Sequence, residues 1–240
     1  MTASSRLGRR AFLLFGAAAL AAGGLGQLPA ALHGEALGQG PPAPASRTLD
    51  VPAYRQAYAL SCEAASLRMA LAYRGVTTDD AAILRLIGAD TRRAFYRDGV
   101  LRWGNPYSRF VGDVSGSEAS LTGYGTYHPS VARAAAALWA TVLVAAQGIS
   151  PAALYSYVLG GHPAIVWVTY RWVPAARSDY VAFDGTPVPY AGPVEHSVLV
   201  AGVTPTSVLV NDPASGRYWV SKGTFETAYH VYNQMAVVIS

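Results

Sequence analysis

The hydrophobic pattern of this chain changes its period near residue 160, and this change limits the folds that the chain can adopt. Before it, the residues predict helices at about 61–73, 77–88, 130–139 and 150–159. After it, short runs rich in β-branched and aromatic residues predict strands at 164–170, 197–203, 207–211, 218–220 and 235–239. Helices followed by strands in one chain predict an α+β fold, in which an N-terminal helical part packs on a C-terminal antiparallel sheet.

The first 38 residues have the composition of an export signal. The run Gly8-Arg9-Arg10-Ala11-Phe12-Leu13 resembles the twin-arginine signal motif, and it opens an apolar stretch rich in alanine. Residues 39–47 predict a linker, and residues 48–240 a single domain. The expected location is extracellular or in the cell envelope. The alternative is a retained anchor, in which case this segment is the only predicted contact with a membrane.

Composition excludes several classes of function. Charged residues make up 13% of the chain and hydrophobic residues 52%, which excludes a disordered polypeptide. The net charge of +4 is not gathered into a Lys/Arg cluster, so nucleic acid is not a predicted partner. A single cysteine, Cys62, permits neither an intrachain disulfide nor a thiolate zinc cluster. There is no phosphate-binding glycine loop and no histidine pair at helical spacing, so we predict no cofactor and no metal.

One long segment, residues 91–128, follows neither period. It is rich in glycine, aspartate, serine and aromatic residues, as in WGNPYSRFVGDVSG and GYGTYH. Irregular segments of this length are uncommon in ordered domains unless they bind a ligand or cover a site. We therefore expect either a binding or lid role, or a loop that only covers the sheet or helices.

Cys62 lies at the predicted start of a helix, where a thiol can be activated. Unpaired backbone N–H groups and the helix dipole favour a thiolate at that position, which predicts a lowered thiol pKa. Six residues upstream, Gln56 carries an amide that can donate a hydrogen bond to an oxyanion. A nucleophile with a nearby donor is the minimum for acyl transfer. The alternative is a buried structural cysteine.

A nucleophilic cysteine needs a base, and His196 is the candidate among the five histidines. It opens one predicted strand, and Asp212 closes the next. A hairpin centred near Thr204 would place the two residues opposite each other, so that the carboxylate orients the imidazole. The alternative is that Asp212, which precedes a proline, only opens a turn.

Together these segments resemble the papain-like cysteine peptidases, in the branch of the bacteriocin-processing (double-glycine leader) peptidases and their stand-alone exported relatives. The resemblance rests on VPAYRQ before the cysteine helix, then HSVLVAGV, then NDP, in that order. It implies a papain-like fold with Cys62 as nucleophile, His196 as base, Asp212 as orienting acid and Gln56 as oxyanion donor. Glu63 departs from the glycine that is common in this branch, and a carboxylate beside the thiol opposes thiolate formation.

The predicted function is an exported cysteine peptidase that hydrolyses peptide bonds through an acyl-thioenzyme. Its expected partners are peptide or protein substrates, with cell-wall peptides among them. Two alternatives remain from the sequence. One is a thiol transpeptidase of the phytochelatin-synthase-like type, and the other is a catalytically silent module that binds peptides or cell-wall components.

Overall fold

The computed structural model describes residues 45–240. The predicted export signal, residues 1–38, and residues 39–44 of the predicted linker lie outside the described residues. The described part contains the helices α1 (Cys62–Tyr73), α2 (Asp80–Ile87), α3 (His128–Ala137), α4 (Pro151–Leu159) and α5 (Lys222–Val231). Within residues 45–240, none of the helices has the length and apolar character needed to cross a bilayer.

The strands form one large sheet and two small ones. In chain order they are β1 (Arg47–Thr48), β2 (Ala89–Asp90), β3 (Phe95–Arg97), β4 (Val100–Trp103), β5 (Phe110–Val111), β6 (Val142–Ala146), β7 (Ala164–Thr169), β8 (Ser178–Ala182), β9 (Pro187–Tyr190), β10 (Glu195–Val203), β11 (Ser207–Asp212), β12 (Gly216–Ser221) and β13 (Ala236–Ile239). The large sheet has the order β12-β11-β10-β7-β13-β6, with β1 paired to the end of β10. All its strand pairs are antiparallel. The small sheets are β3-β4-β8-β9 and β2-β5.

The centre of the large sheet is covered on both faces. Every residue of β7 and β10 is buried, as expected of strands with packing on each side. Helix α1 packs on β10 and β7 and contacts α2 and α3, while α4 and α5 contact the same sheet and each other. The predicted α+β fold, with helices packed on an antiparallel sheet, is confirmed.

Helix α1 begins at Cys62 because hydrogen bonds fix the loop that precedes it. The side chain of Asp80, at the start of α2, accepts from the backbone N–H of Ala57 at 2.8 Å and from the hydroxyl of Ser61 at 2.9 Å. The helix itself consists largely of alanine, leucine and other strong helix formers, and most of its residues are buried. The predicted helix is confirmed to within one residue, and Cys62 occupies its first turn.

Strands β10 and β11 form the predicted hairpin, but in a different register. Leu199 faces Asn211, and a bulge interrupts β10 between this pair and the turn. The chain reverses at residues 205–206 rather than around residue 204. The prediction that His196 lies directly opposite Asp212 is therefore wrong, because the later turn and the bulge shift the pairing. The two residues are diagonal neighbours, which still allows their side chains to meet.

Strand β6 and the sheet β3-β4-β8-β9 were not predicted. Strand β6 has the sequence VLVAA, which lacks alternation and follows an alanine-rich helix. The small sheet depends on a parallel pairing between β4 and β8, which are distant in sequence. Much of segment 91–128 is thereby ordered, with β3, β4 and β5 joined by hydrogen-bonded turns.

Candidate active site

His196 and Asp212 form a buried hydrogen-bonded pair. Nε2 of His196 lies 2.8 Å from Oδ1 of Asp212, and the residues are 4% and 3% exposed. The carboxylate also accepts hydrogen bonds from the backbone N–H of Ala214 and the hydroxyl of Tyr218, both at 2.8 Å. Burial acts to raise the pKa of Asp212, but these hydrogen bonds lower it to about 2. The carboxylate is therefore ionised, Nε2 carries the ring proton, and Nδ1 is the nitrogen that can accept another.

Aromatic residues that were not predicted as site residues surround this pair. The ring of Tyr170 packs edge-on against the imidazole of His196, with centroids 5.2 Å apart. Trp172 donates its ring N–H to the hydroxyl of Tyr218 at 3.1 Å, and that hydroxyl donates to Asp212. Trp172 itself has a left-handed backbone conformation, with φ of 60°. Such strain in a bulky residue persists only where the surroundings hold the backbone firmly.

Cys62 and His196 line one cavity of about 180 Å³. Gln56 borders the same cavity, and Asp212 joins it through its hydrogen bond to His196. Cys62 is 6% exposed, so little of its side chain is open to solvent. The structure thus brings the four predicted site residues together, and their individual catalytic roles stay predictions.

The side-chain amide of Gln56 is held by the loop before α1. Its Nε2 donates to the carbonyl oxygens of Tyr58 at 2.9 Å and Ala59 at 2.7 Å. These bonds use both hydrogens of the amide, so donation to an oxyanion requires one of them to break. The backbone N–H of Cys62 is a further donor in this region, because the first residues of a helix have no intrahelical acceptor.

The environment of the Cys62 thiol favours its protonated form. The sulfur lies 3.4 Å from Oε2 of Glu63, to which the thiol donates. Burial raises the pKa of the thiol well above its ordinary value, and the charges of Glu63 and Glu195 raise it further. The prediction of a lowered thiol pKa is therefore wrong for this structure, because desolvation and two carboxylates outweigh the helix terminus. The sequence did identify Glu63 as an opposing residue.

Three buried carboxyl groups form a cluster beside the thiol, consisting of Glu63, Glu118 and Glu195. A backbone N–H of Thr126 donates to Glu63, and the backbone N–H of Glu195 donates to Glu118 at 3.1 Å. Burial is the main cause that raises the pKa of Glu63 to about 7, that of Glu118 to about 8 and that of Glu195 well above its ordinary value.

Gly125 allows two of these carboxyls to approach the backbone. A Cβ atom at this position would lie 2.5 Å from Oε1 of Glu63 and 3.1 Å from Oε2 of Glu195. A side chain there would therefore displace the carboxylates. Glu118 and Glu195 were not predicted as site residues, and the one sequence signal for them was the position of Glu195 directly before His196.

Residues 48–237 match the profile of the family described as the Peptidase_C39 like family. The chain belongs to this family. The resemblance inferred from the sequence is thereby confirmed, and by its family the chain is a cysteine peptidase.

Two solved structures resemble this C39-like peptidase. One is a candidate C39-like peptidase from Bacillus anthracis, with 28% identity and a TM-score of 0.68 over 80% of this chain and 96% of that chain. The other is a double-glycine motif protease from an AMS/PCAT transporter in complex with the leader peptide, with 18% identity and a TM-score of 0.45 over 80% of this chain and 91% of that chain. No curated protein matches the sequence.

The carboxyl cluster predicts that this C39-like peptidase loses stability as the pH rises from about 4.5 to about 8. A group with a raised pKa keeps its proton in the folded state after the unfolded chain has released it, so higher pH favours unfolding. For Glu63, whose pKa rises from 4.5 to about 7, the expected loss is roughly 3 kcal/mol. Asp212 acts in the opposite direction, but only below about pH 4, because its pKa is lowered from 3.8 to about 2.

Urea titrations at pH 5 and pH 8 measure this difference in the free energy of unfolding. Glu118→Gln is expected to reduce it, because the amide keeps the shape of the side chain and cannot ionise. Asp98→Asn removes a charge from a side chain that is 95% exposed and is the matched control. Equal stability of the wild type at the two pH values would contradict the burial of the cluster.

Proposed function

We propose that this chain is an exported peptidase in which Cys62, His196 and Asp212 act as a catalytic triad on peptide substrates. The observation that carries the proposal is the buried His196–Asp212 pair on a cavity that the Cys62 side chain also lines. An ionised Asp212 keeps a proton on Nε2 of His196, which leaves Nδ1 as the proton acceptor. A silent binding module has no chemical requirement for this arrangement.

The reaction begins when the Cys62 thiol transfers its proton to Nδ1 of His196. The thiolate then attacks the carbonyl carbon of the peptide bond, and the backbone N–H of Cys62 stabilises the oxyanion, joined by Gln56 once its amide is released. His196 returns the proton to the departing amine, and the acyl group remains on sulfur as a thioester. Water, deprotonated by His196, attacks the carbonyl carbon of this thioester, and the C–S bond breaks. The acid is released, and His196 returns its proton to the Cys62 thiolate.

The identity of the acceptor decides between hydrolysis and transpeptidation. Water as acceptor gives a free acid, and a second amine gives a new amide from the same thioester. A peptide library incubated with residues 48–240 and analysed by mass spectrometry separates these outcomes. New carboxyl termini support hydrolysis, ligated products support transpeptidation, and an unchanged library together with no acyl adduct on Cys62 would contradict both.

Export is the second part of the proposal, and it rests on the arginine pair in the predicted signal. Replacing Arg9 and Arg10 by lysine is expected to trap the precursor inside the cell, because the twin-arginine motif that the segment resembles is defined by these two residues. Fractionation and immunoblotting of the cells measure the result. The matched control is Arg6→Lys, which lies outside the motif. Unchanged export of the double variant would leave an ordinary signal or a retained anchor.

A further inference from the structure

Within residues 45–240, the carboxyl cluster beside Cys62 lacks a positive partner. Glu63, Glu118 and Glu195 are 1%, 8% and 5% exposed. Of the ion pairs that residues 45–240 form, none includes any of the three. Ionised carboxylates in protein interiors are normally paired, because they have lost the solvation that water provides. The charge of this cluster is therefore neutralised by protons or by a cation that binds from outside.

Glu195 carries an acceptor that no described residue satisfies. Its Oε1 is buried and has no hydrogen-bond partner within the part of the chain that the structure describes. The residue lines the cavity together with Cys62, His196 and Glu118. One of its carboxylate oxygens lies within 4.8 Å of the Cys62 sulfur. Unpartnered buried acceptors are rare in folded proteins, and a ligand that supplies the missing donor explains this one.

We propose that Glu118 and Glu195 form a subsite for a cationic group of the substrate, an ammonium or guanidinium group next to the bond that Cys62 attacks. The inference rests on the proposed peptidase function and names a substrate class for it. The cavity volume of about 180 Å³ is that of about six water molecules in the liquid, which is enough for one side chain. Leu60 and Pro193 also line it and provide apolar contacts for an alkyl stem.

A cation bound in this subsite also changes the nucleophile. The charges of Glu63 and Glu195 contribute to the raised pKa of the Cys62 thiol. A positive group beside these carboxylates offsets their charge, so that the thiolate forms more readily when such a substrate is bound. Burial is the larger cause of the raised thiol pKa, and a bound cation reduces the additional effect of the carboxylates.

A divalent metal ion is the alternative occupant of the cluster. The sulfur of Cys62 and carboxylate oxygens of Glu63 and Glu195 lie within 4.8 Å of one another, close enough to ligate one ion. Such an ion would occupy the sulfur that the peptidase reaction needs. We therefore assign the subsite to a cationic substrate group, and metal binding is an outcome of the test.

The first test measures the electrostatic potential at Cys62 without requiring peptidase activity. Cys62 is the only cysteine of the chain, so methanethiosulfonate reagents modify a single thiol. The thiolate attacks the sulfenyl sulfur, forms a disulfide and releases methanesulfinate. Rates are compared for the 2-aminoethyl, 2-hydroxyethyl and 2-sulfonatoethyl reagents at pH 8, with and without EDTA, each divided by its rate with free 2-mercaptoethanol.

The cationic reagent is expected to react at least roughly tenfold faster than the neutral one in the wild type, and the anionic reagent slower. Glu195→Gln and Glu118→Gln are expected to bring these ratios towards one, while Asp98→Asn keeps them. Thermal midpoints of both glutamine variants establish that they are folded. The proposal would be overturned if the ratio of the cationic to the neutral reagent were the same in the wild type and in both variants. An equal acceleration of all three reagents by EDTA would also overturn it, because it would indicate a bound metal.

The second test uses peptides that differ only by lysine or norleucine on either side of the scissile bond. The ratio of kcat/KM for lysine over norleucine is expected to be at least roughly tenfold in the wild type and to fall in Glu195→Gln. Cleavage without any preference would overturn the subsite and leave the peptidase function standing. If no peptide is cleaved but Cys62 still prefers the cationic reagent in a way that depends on Glu118 and Glu195, the peptidase function is contradicted and the subsite is supported.

Discussion

Replacing Cys62 by alanine is expected to lower kcat/KM for peptide cleavage by roughly 10⁴-fold or more, because the thioester intermediate can no longer form. The stability of the variant is expected to stay close to that of the wild type. The side chain is 6% exposed, but it borders an existing cavity, so the substitution removes one atom from a wall rather than from a close-packed interior. Steady-state kinetics and a thermal melt on the same preparation measure both quantities.

The two readouts separate the catalytic cysteine from a structural one. A structural cysteine would cost stability and leave the activity of the folded fraction unchanged. Activity within about tenfold of wild type would contradict the nucleophile assignment. Cys62→Ser is the conservative variant, and it is expected to retain the fold with little activity, since a hydroxyl in the same environment is a much weaker nucleophile.

The features of this site that could be predicted from the sequence are those encoded by residues close together in the chain. Helix α1 and the strands β10 and β11 were predicted because alanine-rich composition, runs of β-branched residues and Asp212-Pro213 act within a few residues. The hairpin register was wrong because a single bulge in β10 and a later turn shift every pair, and neither has a distinct sequence signal here.

The carboxyl cluster could not be predicted from neighbouring residues in the sequence. Glu63, Glu118 and Glu195 belong to a helix, an irregular segment and a strand that are far apart in the chain. Tertiary hydrogen bonds bring them together: the backbone N–H of Thr126 in segment 91–128 donates to Glu63 on α1, and the backbone N–H of Glu195 donates to Glu118. Of the three, only Glu63 is next to Cys62 in the sequence, and burial, which reverses the expected direction of the pKa shift of Cys62, has no local sequence signal. Position at a helix N-terminus lowers a thiol pKa, but at Cys62 the desolvation effect is larger.

His196→Ala is expected to lower kcat/KM by roughly 10³-fold or more, because His196 is the only histidine among the described residues that lines the cavity of Cys62. It is also hydrogen-bonded to the Asp212 carboxylate. Asp212→Asn is expected to cost only about 10- to 100-fold, since the amide oxygen can still accept from the imidazole and from Ala214. Asp212→Ala is expected to lower kcat/KM more than Asp212→Asn does, because it also leaves the hydroxyl of Tyr218 without its acceptor.

The pH profile distinguishes a base from a merely structural histidine. The pKa of Asp212 at about 2 keeps this carboxylate ionised above about pH 4, so the acid limb of kcat/KM in the wild type does not come from Asp212. In His196→Ala this limb is expected to move towards higher pH, because the thiol must then ionise without a neighbouring acceptor beside Glu63 and Glu195. An unchanged limb, with activity near that of wild type, would contradict the role of His196 and make His128 the next candidate. His128 is a weaker base, since burial lowers its pKa to about 4.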